Sequence, residues 1–211
     1  MSVITHHIPD EMLTAYAAGN LAHPYAVVVA SHVSLCAQCR VSLEAHQAMG
    51  GVVLEEVDAV AVSNELKSNI LSQLDAPFTP APAYDRSGVF PGPVVQALNG
   101  QQPKWKTLGM GVRQHILSAD REGSLRLLYI PAGQAVPEHS HNGLELTLIL
   151  QGSFSDAVGQ FGVGDVEIGD EDLEHTPIAN LGDPCICLAA TDAPLRFNAF
   201  IPRLLQPLFR I

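Results

Sequence analysis

Along residues 1–75 the apolar positions recur at helical spacing. Pro9, Asp10 and Glu11 suit a first turn, proline where no N–H is needed and acids at the positive end of the dipole. Met12, Leu13, Tyr16 and Ala17 follow on one face, and Gly19 ends the segment. A second helix starts at Pro24 and runs through Val27, Val28 and Val29, although three valines would also suit a strand. A third runs from about Cys36 to Gly50 and Gly51. A fourth is introduced by Ser63 as N-cap, with Leu66, Ile70, Leu71 and Leu74 sharing a face. From residue 104 the texture changes. Short apolar runs at 113–118, 125–130, 144–150, 161–168, 185–190 and 195–201, separated by turn residues, predict an all-β sandwich or barrel. Between the two textures, residues 76–103 hold six of the fifteen prolines and read as a semi-extended linker.

Charge narrows the function classes. The 211 residues carry 11 Lys and Arg against 22 Asp and Glu, a net −11. That balance argues against direct duplex binding, because phosphate affinity comes from Lys and Arg; an acidic chain suits a basic protein surface. Residues 1–75 have two basic and eight acidic residues, net −6, and residues 104–211 eight and thirteen, net −5. The start MSVITHHIPDEM lacks the basic and apolar regions of a signal peptide. Residues 12–39 lack Asp, Glu, Lys and Arg, yet Asn20, His23, Pro24 and His32 interrupt them before a span of ~20 apolar residues builds up. The expectation is a soluble cytoplasmic protein.

The four cysteines form two tight pairs, Cys36/Cys39 and Cys185/Cys187, too few for a disulfide scaffold at this length. Nine histidines, several near Cys or Glu, point instead to metal. His32-x3-Cys36-x2-Cys39 supplies three ligands at i, i+4 and i+7, positions that share a helix face. A tetrahedral zinc site needs a fourth, and His6 or His7 stands just before the first helix. Such an ion would pin the chain start to the junction of helices two and three and contribute to folding. The competing readings are two small core cysteines beside a polar edge histidine, or a redox C-x-x-C, which lacks a βαβ context.

The second constellation, Gly133-x5-His139-x-His141-x3-Glu145-x6-Gly152, matches the first motif of the cupins. His139 and His141 alternate by two, so a strand points both to one side, and Glu145 returns across a turn at Asn142 and Gly143. Gly164-x10-His175 supplies a fourth ligand at the spacing of the second cupin motif. It departs from that motif at Asp170, Glu171 and Asp172, where Pro-x-Gly is usual, and Asn180 comes one place late. Three His and one Glu suit Zn2+, Mn2+ or Fe2+. Cys185 and Cys187 alternate on one strand face, where core packing is the default over a redox role. His23, His46 and His115 have no partner by spacing.

The stretch LTAYAAG at 13–19, the His/Cys cluster after it and the tail CICLAATDAPLRFNAF resemble the ChrR-type zinc-binding anti-sigma factors, which append a cupin-like domain. The resemblance implies an α+β chain in two separate domains, a small all-α zinc-binding bundle over 1–75 and a cupin-like β-barrel over 104–211. It implies His7 rather than His6 as ligand, zinc in both sites, and a one-to-one heterodimer with an extracytoplasmic-function sigma factor held by residues 1–75. The barrel would then sense singlet oxygen or peroxides and release the sigma factor. No catalytic residue, nucleic-acid contact or membrane anchor is implied. The Leu66/Ile70/Leu74 stripe is either the docking face or internal packing. The alternative function is a metal-dependent cupin enzyme, an oxygenase or isomerase, with a zinc-stapled N-terminal module.

Two ligand sets predict about two metal ions per chain, read by elemental analysis of the purified protein; one ion or fewer removes a site.

Overall fold

The computed structural model describes residues 3–74, 77, 80–140, 142–193 and 196–197. Among the described residues five helices come first: α1 (Asp10–Ala17), α2 (His23–Leu35), α3 (Ala37–Glu55), α4 (Leu66–Gln73) and α5 (Gly92–Ala97). Twelve strands follow among the described residues: β1 (Lys106–Gly109), β2 (Val112–Asp120), β3 (Gly123–Ile130), β4 (His139–Ser140), β5 (Glu145–Gln151), β6 (Ser153–Ser155), β7 (Gln160–Gly162), β8 (Val166–Gly169), β9 (Glu174–His175), β10 (Ile178–Ala179), β11 (Cys185–Thr191) and β12 (Arg196–Phe197).

The first three helices start where the caps and periodicity place them. α3 differs, running through Gly50 and Gly51 to Glu55. α4 also differs: Ser63 makes no side-chain cap, and Glu65 is the N-cap residue. The run at 161–168 is two strands rather than one, broken at Gly164, whose φ of +94° only glycine adopts without strain. The strand expected at 195–201 and the end of the resembling tail lie largely outside the described residues.

The strands make a six-stranded sheet in the order β1-β2-β3-β11-β5-β8 and two three-stranded sheets, β10-β6-β7 and β12-β4-β9. All pairings are antiparallel. The expected closed barrel is therefore not formed among the described residues; the cupin-like unit is a large sheet packed with two small ones. β11 has no exposed position, and its residues divide by parity. Cys185 and Cys187 pack inward with Ile130, Ile149, Phe154 and Phe161. Ile186, Leu188 and Ala190 pack the other way, with Leu125, Leu127, Leu146 and Leu148.

That outer face is covered by the helices. Tyr25, Val28 and Val29 of α2 and Val94 of α5 belong to the same core as Leu146, Leu148 and Leu188. A helix as apolar all round as α2 is expected to be buried, and it lies on the sheet. The Tyr25 hydroxyl donates to the Leu144 carbonyl at 2.7 Å, and burial together with nearby Asp192 pushes that phenol up. Helices and strands thus share one hydrophobic core, and two separate domains are not what the structure shows. The Pro-rich stretch is also not all linker, since α5 folds within it and packs on α2. No single described helix is long and apolar enough to cross a membrane; α2 with α3 passes by length and composition only as a pair bent by 117°.

Leu188 is fully buried where helices and sheet meet. Leu188→Ala is expected to cost roughly 2–5 kcal/mol. Helical circular dichroism and the fluorescence of Trp105, the sole tryptophan, should then fall with one shifted midpoint. Two separate midpoints would mean that helices and sheet do not share a core.

Candidate metal centres and the uncovered helical face

The first cluster forms where two helices break. Cys36 is at once the C-cap of α2 and the N-cap position of α3, in extended conformation at φ −104° and ψ 111°. His32, Cys36 and Cys39 therefore converge across a bent junction rather than along one helix face. His7 enters from the segment just before α1. Its Nδ1 lies 3.4 Å from Cys36 Sγ and 3.7 Å from Cys39 Sγ, and His32 Nε2 lies 3.2 Å from Cys39 Sγ. All four donor atoms sit within 4.8 Å of one another. A tetrahedral zinc ion, with bonds of about 2.3 Å to sulfur and 2.0–2.1 Å to nitrogen, requires N···S edges of about 3.6 Å. The four residues fit that ion in geometry and in donor type.

The choice between the adjacent histidines has a physical basis. His6 turns away, its ring 4.4 Å from that of Phe161 and its Nδ1 3.5 Å from Asp165. His32 is fully buried, and burial holds its pKa below the ordinary value. Its Nδ1–H donates to the Gly164 carbonyl at 2.8 Å, leaving the Nε2 lone pair for the cluster. Burial raises the Cys39 thiol to about 11, with Cys36 adding to the rise and the Ile8 backbone opposing it.

The second constellation is partly in view. Paired strands β4 and β9 set His139 opposite His175. The Nδ1–H of His139 donates to the Pro137 carbonyl at 2.8 Å, and that of His175 to Asp156 Oδ2 at 2.7 Å. The two Nε2 atoms lie 3.2 Å apart. An imidazolium at His175, whose pKa the neighbouring acids raise, donates its Nε2–H to His139 across that distance. Two imidazoles on one ion at about 2.0–2.1 Å are about 2.9–3.4 Å apart, so the same spacing also suits a shared ion. Glu145 heads β5 and accepts from the Thr147 hydroxyl at 2.9 Å. His141 lies outside the described residues.

Sequence reading missed the acids behind His175. Asp156, Glu167 and His175 bring donor atoms within 4.8 Å of one another. Glu167 is buried, which pushes its carboxyl up to about 7, and Asp156 adds to the rise against the pull of His175. Asp156 stays below the ordinary value, because hydrogen bonds from Glu167, His175 and the Gly159 and Val158 backbone outweigh its burial. Both acids outweigh the burial of His175 and raise it. The available signal was a Glu between Val166 and Ile168 in an otherwise apolar strand. Cys185 and Cys187 are buried and free, in the packing role expected of them. His46 sits by Asp10 and Thr14, and His115 by Lys104.

The other feature is a surface. α4 buries no residue, and Leu66, Ile70, Leu71 and Leu74 are all exposed, Leu74 at 72%. The end of α3 and the loop after it continue the apolar run through Met49, Val52, Val53, Leu54, Val57, Val60 and Val62, with Leu54 73% exposed. Of the two readings of the 66/70/74 stripe, internal packing is not observed among the described residues.

Comparison with known proteins bears on both features. The family model described as the ChrR Cupin-like domain matches residues 95–193. The chain is 52% identical over 211 residues to the anti-sigma-E factor ChrR of Cereibacter sphaeroides, covering 99% of each. It also matches a chain in the crystal structure of Rhodobacter sphaeroides SigE in complex with the anti-sigma ChrR, with TM-score 0.79 and 48% identity. That match covers 90% of this chain and 100% of the other.

A thiol titrating at about 11 is protonated in metal-free protein at neutral pH, so an ion binding Cys39 must displace that proton. Zinc affinity at the helical cluster should rise by about tenfold or more per pH unit between pH 6 and 8. Chelator competition at several pH values measures it, and a flat profile would exclude Cys39 as a thiolate ligand.

Proposed function

The chain belongs to the ChrR family of anti-sigma factors, and from that premise we propose that its helical region binds an extracytoplasmic-function sigma factor and keeps it from RNA polymerase. The observation that carries this reading is the uncovered apolar face of α3 and α4. A run of that extent on a monomer marks an interaction site. Exposed apolar positions on helices can serve as anchors spaced by helical turns. The acidity of residues 1–75, net −6, suits a partner that is basic where it meets DNA and polymerase. The complex is a one-to-one heterodimer, and the site of action is the cytoplasm, where polymerase works.

Zinc at His7, His32, Cys36 and Cys39 staples the chain ahead of α1 to the α2–α3 junction, from which the docking face extends. The second site is assigned to His139, His141, Glu145 and His175, with Asp156 and Glu167 orienting His175. When bound there, an ion would supply a fixed positive charge that holds these side chains together. This half serves as the sensor of oxidative stress, singlet oxygen or peroxides. His and thiolate ligands are oxidisable, and losing one loosens the elements it joins. The signal must act by changing contacts that differ between the bound and released states. The metal-dependent enzyme reading is set aside, since the family is one of anti-sigma factors and no residue has been given a catalytic role.

Ile70→Glu combined with Leu71→Glu places charge on an exposed stripe and leaves the fold intact. Binding of the full chain to SigE, used as probe, should weaken by roughly 30-fold or more, as for hot-spot residues, with the helical circular dichroism unchanged. Undiminished binding would contradict docking through this face.

A further inference from the structure

We propose that the segment from Gly162 to Glu167 ties the two clusters together, with Asp165 as the positioning residue, so that filling one site changes the ion affinity of the other. The inference rests on the reading of both clusters as ion sites. It concerns a path of hydrogen bonds and one ion-pair contact that the ligand motifs do not contain.

The path is short and made of direct contacts. Asp165 Oδ1 accepts the N–H groups of Thr5 at 2.7 Å and His6 at 2.9 Å, and Asp165 Oδ2 accepts that of Gly162 at 2.8 Å. The Val166 N–H donates to the His6 carbonyl at 3.3 Å, so the chain immediately before His7 is laid along the start of β8. One residue back, the Gly164 carbonyl holds the Nδ1–H of His32 at 2.8 Å. Two residues beyond Asp165, in β8, Glu167 Oε1 lies 3.3 Å from His175 Nδ1, an ion-pair contact and not a hydrogen bond. His175 Nε2 in turn faces His139 Nε2. The four residues from Gly164 to Glu167, the turn into β8 and its first two positions, thus carry a hold on two ligands of the helical cluster and a side-chain contact with a ligand of the other.

This contact has little slack. Asp165 is buried and rigidly bound at both oxygens. Gly164 is so close to Ile4 that an added Cβ would meet its side chain at 2.5 Å. Ile149 pins the same turn twice, accepting from Gly164 at 2.9 Å and donating to Asp165 at 3.0 Å. A shift of His175 on taking up an ion is passed through Glu167 to the segment that positions His32 and the chain entering His7. Such coupling is reciprocal by thermodynamic necessity.

The experiment uses cobalt in the full-length chain with Cys185→Ala and Cys187→Ala. Thiolate-to-cobalt absorption then reports the helical cluster alone. Cobalt affinity is compared with the second site intact and emptied by His139→Ala. The two affinities should differ by about tenfold, within the usual range for coupled sites. Asp165→Ala should shrink the difference to less than about twofold while each site still binds. Asp165→Asn, which keeps an oxygen for Thr5 and His6, should restore most of it. Thr5→Pro removes a donor from the other side and should act as Asp165→Ala does, which keeps the test open if that variant misfolds. Equal affinities with and without His139, or a difference that survives both Asp165→Ala and Thr5→Pro, would overturn the proposal. If the second site takes no cobalt in the parent chain, the two-site premise fails instead, and sigma binding is read independently of either outcome.

Discussion

The arrangement depends on one convergence: His7, His32, Cys36 and Cys39 meeting around a point small enough for a single ion. Helices of 8 and 13 residues have little stability of their own, so something must fix their mutual position. An ion joined to the chain before α1 and to both sides of the α2–α3 break would supply that fixation. It would also set where α3 points, and with it the apolar positions that α3 leaves uncovered.

The second organising constraint is the sheet. A strand such as β11, apolar on both faces, must be covered on both. The smaller sheets cover one side, and α2 with α5 covers the other. Because α2 carries His32 and lies on the sheet, the helical cluster is set against the turn that leads into β8. A histidine buried there needs an acceptor for its second nitrogen, and the Gly164 carbonyl is that acceptor. The packing that buries the sheet is thus what brings the two ligand sets within reach of one strand.

Much of this was legible in the residues. The starts of the first three helices, the strands at 113–118, 125–130, 144–150 and 185–190, and the four residues of the helical cluster followed from periodicity and ligand spacing, His7 with help from the resemblance. What escaped was long-range. Local pattern showed α2 as apolar but not what it would cover, so helices and sheet read as two domains instead of one core. Proline content suggested an extended linker, whereas Pro91 and Pro93 stand at the start of α5, where proline suits a first turn. The acids behind His175 carry no spacing signature, because Asp156 and Glu167 reach it from different strands and loops. Asp165 is the sharpest case: its partners are about 160 positions away in sequence, at Thr5 and His6.

The account stands or falls on the ligands of the helical site. X-ray absorption at the zinc edge, on the zinc-loaded chain carrying His139→Ala so that only the helical site is filled, reads them directly. It should show two sulfur neighbours at about 2.3 Å and two nitrogen neighbours at about 2.0–2.1 Å. A shell of nitrogen and oxygen alone would contradict the account.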